Sequence, residues 1–161
     1  MIHKSAYVED AKIGEGTKIW HFVHVRIGAV IGKNCNIGKG VYIDSDLRIG
    51  DNCKIQNFVS IYKGVTIGND VFIGPHVCFT NDLYPRAFIW NEERLVDITI
   101  EDGVSIGANA TIIAGIKIGK YAMIGAGSVV TKDVDDFSLV IGNPAKVVGK
   151  VDKNGNVVEK V

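Results

Sequence analysis

Proline is scarce in this chain, with three residues in 161, and so is cysteine, also with three. Three cysteines beside no export signal are too few for a disulfide framework and are expected as reduced cytoplasmic thiols. No apolar run approaches the roughly 18 residues of a membrane span, so no segment is expected to cross a bilayer. The opening stretch MIHKSAYVEDAKIG has no apolar segment of the signal-peptide kind, which makes the cytoplasm the expected location. An excess of either charge is missing too: 18 Lys and Arg balance 18 Asp and Glu, beside four His. Neither nucleic acid nor an anionic membrane is therefore expected as a partner. Glycine, by contrast, is abundant, with 19 residues in a chain that is 47% hydrophobic. Disordered glycine-rich chains are poor in apolar residues, so these glycines belong inside regular structure.

The glycines follow a period of six. From Ile13 the chain reads IGEGTK, IWHFVH, VRIGAV, IGKNCN, IGKGVY, IDSDLR, IGDNCK, IQNFVS, IYKGVT, IGNDVF, IGPHVC, FTNDLY, and from Ile100 it reads IEDGVS, IGANAT, IIAGIK, IGKYAM, IGAGSV, VTKDVD. Every first position through Ile73 and Phe79 is aliphatic or aromatic. The fifth positions run Thr17, Val23, Ala29, Cys35, Val41, Leu47, Cys53, Val59, Val65, Val71, Val77 and Leu83. A short strand followed by a turn, with first and fifth residues inward, accounts for this pattern. Three such units make an 18-residue triangular coil, and coils stack about 4.8 Å apart as parallel strands. The fold class is all-β, a parallel β-helix. Glycine at second positions is expected to relieve φ strain at the corners. Cys35 and Cys53, 18 residues apart, are expected as stacked core residues, and Cys78 as an outward one.

The register breaks once. Coils over about 13–84 and 100–135 flank a loop over about 85–99, PRAFIWNEERLVDIT, and a C-terminal extension follows over 136–161 within one domain. A loop ejected from an unbroken solenoid is an expected place for function. Its aromatics Phe88 and Trp90 would otherwise serve to hold it down. Asn154-Gly155 between KVVGKV and VVEKV predicts a short C-terminal hairpin.

The hexads, with IGAGSVVTKDV and IGNPAKVVG at their end, resemble the left-handed β-helix acyltransferases. That resemblance implies the left-handed coil sense, a homotrimer, and acetyl-coenzyme A in the groove between prisms. IWHFVHV, KIQNFVSIYKGV and FTNDLYPRA together resemble the branch that N-acetylates 3-amino sugars on nucleotide carriers. The expected reaction is acetyl transfer from acetyl-coenzyme A to the 3-amino group of a nucleotide-linked sugar, for surface polysaccharide or lipopolysaccharide synthesis. A UDP-linked 3-amino-glucuronate is the first expectation, on the strength of Arg86 and the loop region of Arg94. A dTDP-linked 3-amino-3,6-dideoxyhexose is the second.

An amino-sugar nitrogen is partly neutral near pH 7, so alignment and oxyanion stabilisation are the main tasks, and no protein base is obligatory. Asn81 is the expected catalytic centre, its amide beside the reacting amine as in the resembling enzymes; a turn-capping role explains TND equally well. His76 is the candidate base if the acceptor is a hydroxyl. For the acceptor, the resemblance implies His21, His24, Gln56, Asn57, Tyr84 and Arg86, the last through its planar fork. For the acetyl donor it implies Gly107, Ala108, Gly125 and Ala126, with Lys132, Asn143, Pro144 and Lys146 near the adenosine diphosphate end. No metal is expected: His21 and His76 stand three coils apart, about 14 Å along the axis. Carbonic-anhydrase-like metalloprotein, non-enzymatic scaffold, and sugar or serine O-acetyltransferase with His76 as base are the competing readings.

Overall fold

The computed structural model describes residues 1–161. Two-residue strands alternate with turns and build three parallel sheets around a triangular prism, the parallel β-helix expected from the hexads, with the left-handed form that the family resemblance implies. The first sheet stacks Tyr7–Val8, His24–Val25, Tyr42–Ile43, Ser60–Ile61, Cys78–Phe79, Thr111–Ile112 and Val129–Val130. The second runs from Lys12–Ile13 through Val65–Ile67 and Ile98–Ile100 to Lys117–Ile118. The third runs from Lys18–Ile19 to Met123–Ile124 and continues into the C-terminal strands. Partners lie one coil apart, as in Lys18 against Asn36 and Ser60 against Tyr42.

Each coil closes its backbone hydrogen bonds on the next, so no coil satisfies itself alone. Tyr42 N–H, for instance, donates to the Val59 carbonyl at 2.9 Å, and His24 N–H to that of Val41 at 3.0 Å. First and fifth positions turn inward and make one core of 34 buried residues, largely Ile and Val. Burying each such side chain contributes about 1.5–3 kcal/mol. Thr17, Cys35 and Cys53 share one inward column and one task. The Thr17 hydroxyl donates to the Gly32 carbonyl at 2.7 Å, and the two thiols donate to those of Gly50 and Gly68 at 3.1 Å each. The neighbouring Cys35 thiol, and then burial, push the Cys53 thiol up.

Second-position glycines serve close approach rather than φ. At Gly50 a Cβ would stand 2.6 Å from the Gly68 carbonyl carbon and oxygen of the next coil. The left-handed φ falls instead at the fourth position, where Gly16 has φ +76° and Asn34, one coil on, has +55°. Coil spacing, not turn strain, therefore fixes glycine two residues earlier.

Other boundaries shift modestly. Parallel pairing begins before Ile13, with a bridge of Ile2 to Ile19 and the strand Tyr7–Val8, and the second sheet resumes at Ile98 with Val65 against Ile98. Leu83, counted as inward, is 44% exposed because the chain has already left the coil. The C-terminus has one strand more than the hairpin at Asn154-Gly155. Ser138–Gly142 pairs antiparallel with Ala145–Val151, which in turn pairs with Val157–Lys160. The first of these two turns holds a cis Asn143–Pro144 bond.

Candidate functional site

The chain leaves the first sheet after Cys78–Phe79, at the corner leading to the second sheet, where Asn81 and Asp82 form one leg of a neck. Val96 N–H donates to the Asn81 carbonyl across this neck at 3.0 Å. The Asn81 amide reaches back one coil to the Lys63 carbonyl at 3.4 Å, so this half-buried residue is held at its side chain by the coil below and at its backbone by the opposite leg. Arg94, in the short turn Glu92–Arg94, grips the opposite leg. Its Nε lies 2.9 Å from Asp82 Oδ2 and its Nη2 3.4 Å from Oδ1, while Nη2 also meets the Tyr84 carbonyl. Asp82 accepts from Tyr84 N–H at 2.7 Å as well. The bond from Arg94, then that from Tyr84 N–H, hold the Asp82 carboxyl below its ordinary pKa. Lys63 adds a second tie, with Nζ 3.1 Å from Glu92 Oε1, and this bond raises its pKa.

Charges, not aromatics, hold the loop. Phe88 is 83% and Trp90 67% exposed, contrary to a role as anchors. Arg94, counted with Arg86 as a cation for an acidic sugar, is consumed by the neck. Arg86 is exposed and bonds only the Pro85 carbonyl at 2.9 Å. It shares an open cleft with Asn81, Ile89 and Trp90. Tyr84 is exposed at the cleft's edge.

A different corner, between the third and first sheets, collects His21, Gln56, Asn57, His76, Gly107, Ala108, Gly125 and Ala126 in one column. The His21 ring lies 3.7 Å from that of His3 and 6.3 Å from that of Trp20. His76, with φ +60°, stacks on Phe58 at 5.3 Å. Lys39 Nζ lies over both Phe22 and Phe58, at 6.0 and 5.7 Å, a cation–π arrangement. The Asn57 amide oxygen accepts from Lys39 N–H at 2.8 Å, which leaves its NH2 free; Gln56 is half-buried beside it. At Gly107 a Cβ would lie 2.8 Å from Ala126 Cα and at Gly125 2.8 Å from Ile141 Cγ1, so coil packing demands both glycines. Ala108 and Ala126 present the outward surface.

His24 stands apart from that column, on the outer side of the first sheet. Its Nε2 lies 2.9 Å from Glu9 Oε1, and its ring lies between those of Tyr7 and Tyr42. The bond to His24, then that from Ile27 N–H, lower the Glu9 pKa. At the C-terminal end Lys132, Pro144 and Lys146 line a cleft of about 320 Å³, with Asn143 on the adjoining turn. No three His, Cys, Asp or Glu side chains are grouped as metal ligands.

Two sets thus emerge. Asn81, Tyr84, Arg86 and Lys132 lie at or beyond one corner of the prism. His76 and the Gly-Ala pairs lie at the neighbouring one, with the outer side of the first sheet between. Sequence reasoning missed the neck: it assigns no role to Asp82, Lys63 and Glu92, and it reads Arg94 as a sugar contact. Opposite charges at the two ends of a single insertion, Asp82 and Arg94, were the available signal.

Known proteins share this repeat and this fold. The family model for bacterial transferase hexapeptides (six repeats) matches residues 1–45, 46–81 and 97–132, which leaves the loop between its matches. A dTDP-3-amino-3,6-dideoxy-alpha-D-galactopyranose 3-N-acetyltransferase of Aneurinibacillus thermoaerophilus is 53% identical over 150 residues, 93% of this chain and 78% of that protein. Perosamine N-acetyltransferase of Caulobacter crescentus, solved with CoA and GDP-perosamine, is 28% identical with a TM-score of 0.58. The match covers 92% of this chain and 56% of that one, so this chain spans little more than half its length. A hexapeptide-repeat acetyltransferase of Vibrio cholerae, complexed with acetyl-coenzyme A, is 33% identical with a TM-score of 0.66, over 78% of this chain and 72% of that one.

Proposed function

This chain belongs to the bacterial hexapeptide-repeat transferases, and from that premise we propose that it acetylates the 3-amino group of a nucleotide-linked sugar with acetyl-coenzyme A. The similarity that carries the reading is the 53% identity, across nearly the whole chain, to an enzyme named for that reaction on a dTDP-linked 3,6-dideoxyhexose. Between the two carriers the dTDP-linked 6-deoxy sugar has the better support. Engagement of Arg94 by Asp82 weakens the case for a C6 carboxylate, which rested on two arginines. Arg86, free of carboxylate partners, suits the diphosphate that both carriers share.

Chemically, the neutral amine adds to the thioester carbonyl, the tetrahedral oxyanion collapses, and the coenzyme A thiolate leaves while the nitrogen's proton passes to solvent or thiolate. The Asn81 amide beside the amine aligns the nucleophile; no side chain need ionise. Along the other corner the acetyl donor's pantetheine arm lies against Ala108 and Ala126. Its diphosphate end reaches Lys132 and Lys146, with Asn143 and Pro144 beside them. His21, His24, Gln56, Asn57 and Tyr84 contact the nucleotide-sugar. Because Asn81, Arg86 and Lys132 stand at one corner of the prism and His21, Gln56, Asn57, Ala108 and Ala126 at the next, both substrates draw on both corners, and the complete site takes one corner from each of two chains in a homotrimer. Exposed Phe22 and Phe58 are the apolar surface such an assembly buries. We place the enzyme in the cytoplasm, where both substrates are made, supplying surface polysaccharide synthesis.

One observation favours a second reading. The His76 ring is exposed and makes no side-chain hydrogen bond, so it is free to act as base toward a hydroxyl. Thiol release from acetyl-coenzyme A decides between them. The acceptors are a dTDP-linked 3-amino-6-deoxyhexose, a UDP-linked 3-amino-glucuronate, a hydroxyl sugar and serine. Turnover on a 3-amino sugar, impaired by Asn81→Ala and retained in His76→Ala, is expected. Turnover confined to a hydroxyl acceptor and abolished by His76→Ala would overturn the proposal.

A further inference from the structure

We propose that Arg94 is the positioning residue of the acceptor loop, clasping its neck so that Asn81 and Arg86 stand in one cleft. This rests on the reading of the loop as the acceptor's site.

The loop has two legs, residues 81–84 and 94–96, and little else fixes it. Its tip carries Tyr84, Phe88 and Trp90 into solvent, so no aromatic seats it on the prism, and its apolar contact is confined to half-buried Leu95 and Val96 in the second leg. Across the neck run one backbone bond, Val96 N–H to the Asn81 carbonyl, and the three contacts of the Arg94 guanidinium. Both oxygens of Asp82 and the carbonyl of Tyr84 are taken at once by one planar fork. A lysine ammonium is a point charge on a flexible stem and does not satisfy this geometry. The pair is also sheltered: the side chains of Arg94 and Asp82 are 23% and 13% exposed. Lys63–Glu92, with Glu92 77% exposed, is a looser tie that screening weakens.

Asn81 is the residue before Asp82, and Arg86 lies two beyond Tyr84. Both site residues therefore hang directly from clasped positions. Freeing the neck displaces them relative to the coil while leaving the coil's own stacking intact. An ångström of misplacement costs on the order of 100-fold in rate. The expected loss falls on the acceptor and not on acetyl-coenzyme A, whose Ala108 and Ala126 lie at another corner and whose Lys132 hangs from the coil and not from the loop.

Arg94→Ala and Arg94→Lys are compared with wild type by thiol-release kinetics, thermal melting and tryptic cleavage after Arg86. For Arg94→Ala, kcat/KM for the dTDP-linked 3-amino sugar falls on the order of 10- to 100-fold. The KM for acetyl-coenzyme A and the melting temperature stay unchanged, and cleavage after Arg86 accelerates. Added guanidinium ion, at non-denaturing concentration, restores part of the rate in Arg94→Ala, whereas Arg94→Lys stays impaired. Equal loss toward both substrates, wild-type kinetics in both variants, or a lowered melting temperature without rescue would overturn the proposal. Should wild type acetylate no amino sugar, the proposed function fails. The clasp is then judged by cleavage after Arg86, and an unchanged rate in Arg94→Ala overturns it.

Discussion

The coils and the loop they eject are stabilised by opposite means. A coil residue such as Ile61 is buried, and its strand bonds to strands above and below. Its position is over-determined, and neighbours repeat the same solution every 18 residues. In the loop, Phe88 and Trp90 face solvent, and two ion pairs at the neck do the holding. The coil has no freedom to adapt to a substrate, and the loop has no repeat to lean on. A rigid prism with one electrostatically tethered excursion keeps stability and recognition in separate parts of the chain.

That separation is broken most severely at a second-position glycine. Gly50→Ala forces a Cβ to 2.6 Å from the Gly68 carbonyl group, and the stacked backbone cannot yield without opening two coils. We expect a loss of about 3 kcal/mol, or roughly 6–12 °C in melting temperature. The matched control is Gly127→Asn at a fourth position. Its φ is +70°, no heavy atom lies within 4 Å of the added Cβ, and Asn34, Asn52 and Asn109 already adopt that conformation. A cost of about 1 kcal/mol or less is expected there. Equal melting temperatures for the two variants would show that coil spacing does not govern glycine placement.

The same contrast explains what could be read from the chain without its structure. Inward residues such as Val59 and Ile73 were evident because a narrow core repeats one steric demand, and repetition is visible in one dimension. The corner glycines were visible, but their reason was not, since the close approach is made by a residue 18 positions away. Arg94 was placed in the right loop and given the wrong partner. Its engagement with Asp82 depends on how an aperiodic loop folds back. Asn81 and Arg86 stand out only by resemblance, and Arg94, whose clasp holds their loop, follows no period at all.

Loop chemistry is sharpened by Arg86→Gln, which removes an exposed guanidinium that no carboxylate engages. The KM for a nucleotide-linked acceptor is expected to rise about 10-fold, the scale of one charge-assisted contact. The melting temperature should not move. A fall in melting temperature with unchanged KM would make Arg86 a structural residue of the loop.

Acid should loosen the loop before the prism. The Asp82 carboxyl titrates below the ordinary carboxylate range because Arg94 and Tyr84 N–H bind its ionised form. A depressed folded-state pKa gives a contribution fully present above the unfolded value of about 3.9 and lost as pH falls through the folded one. Tryptophan emission from exposed Trp90, read in a Trp20→Phe background, is therefore expected to stay constant from neutral pH down to about 4. Below that it changes, while far-ultraviolet dichroism of the coils persists. Simultaneous loss of both signals would mean that loop and prism unfold as one unit.

The smallest effect tests the coil's interior. Cys53 and Thr17 occupy equivalent inward positions, and each donates to the carbonyl of a second-position glycine in the next coil, at 3.1 and 2.7 Å. If the thiol is there for that bond, Cys53→Thr retains it and Cys53→Val, close in shape, leaves the Gly68 carbonyl without its side-chain donor. Losing such a bond costs about 1 kcal/mol, so Cys53→Val should melt roughly 2–4 °C below wild type. Cys53→Thr should melt within that interval or above wild type. The reverse order would make the column a matter of volume alone, filled by whichever small residue fits, with the hydroxyl of Thr17 a local exception at the open end of the prism.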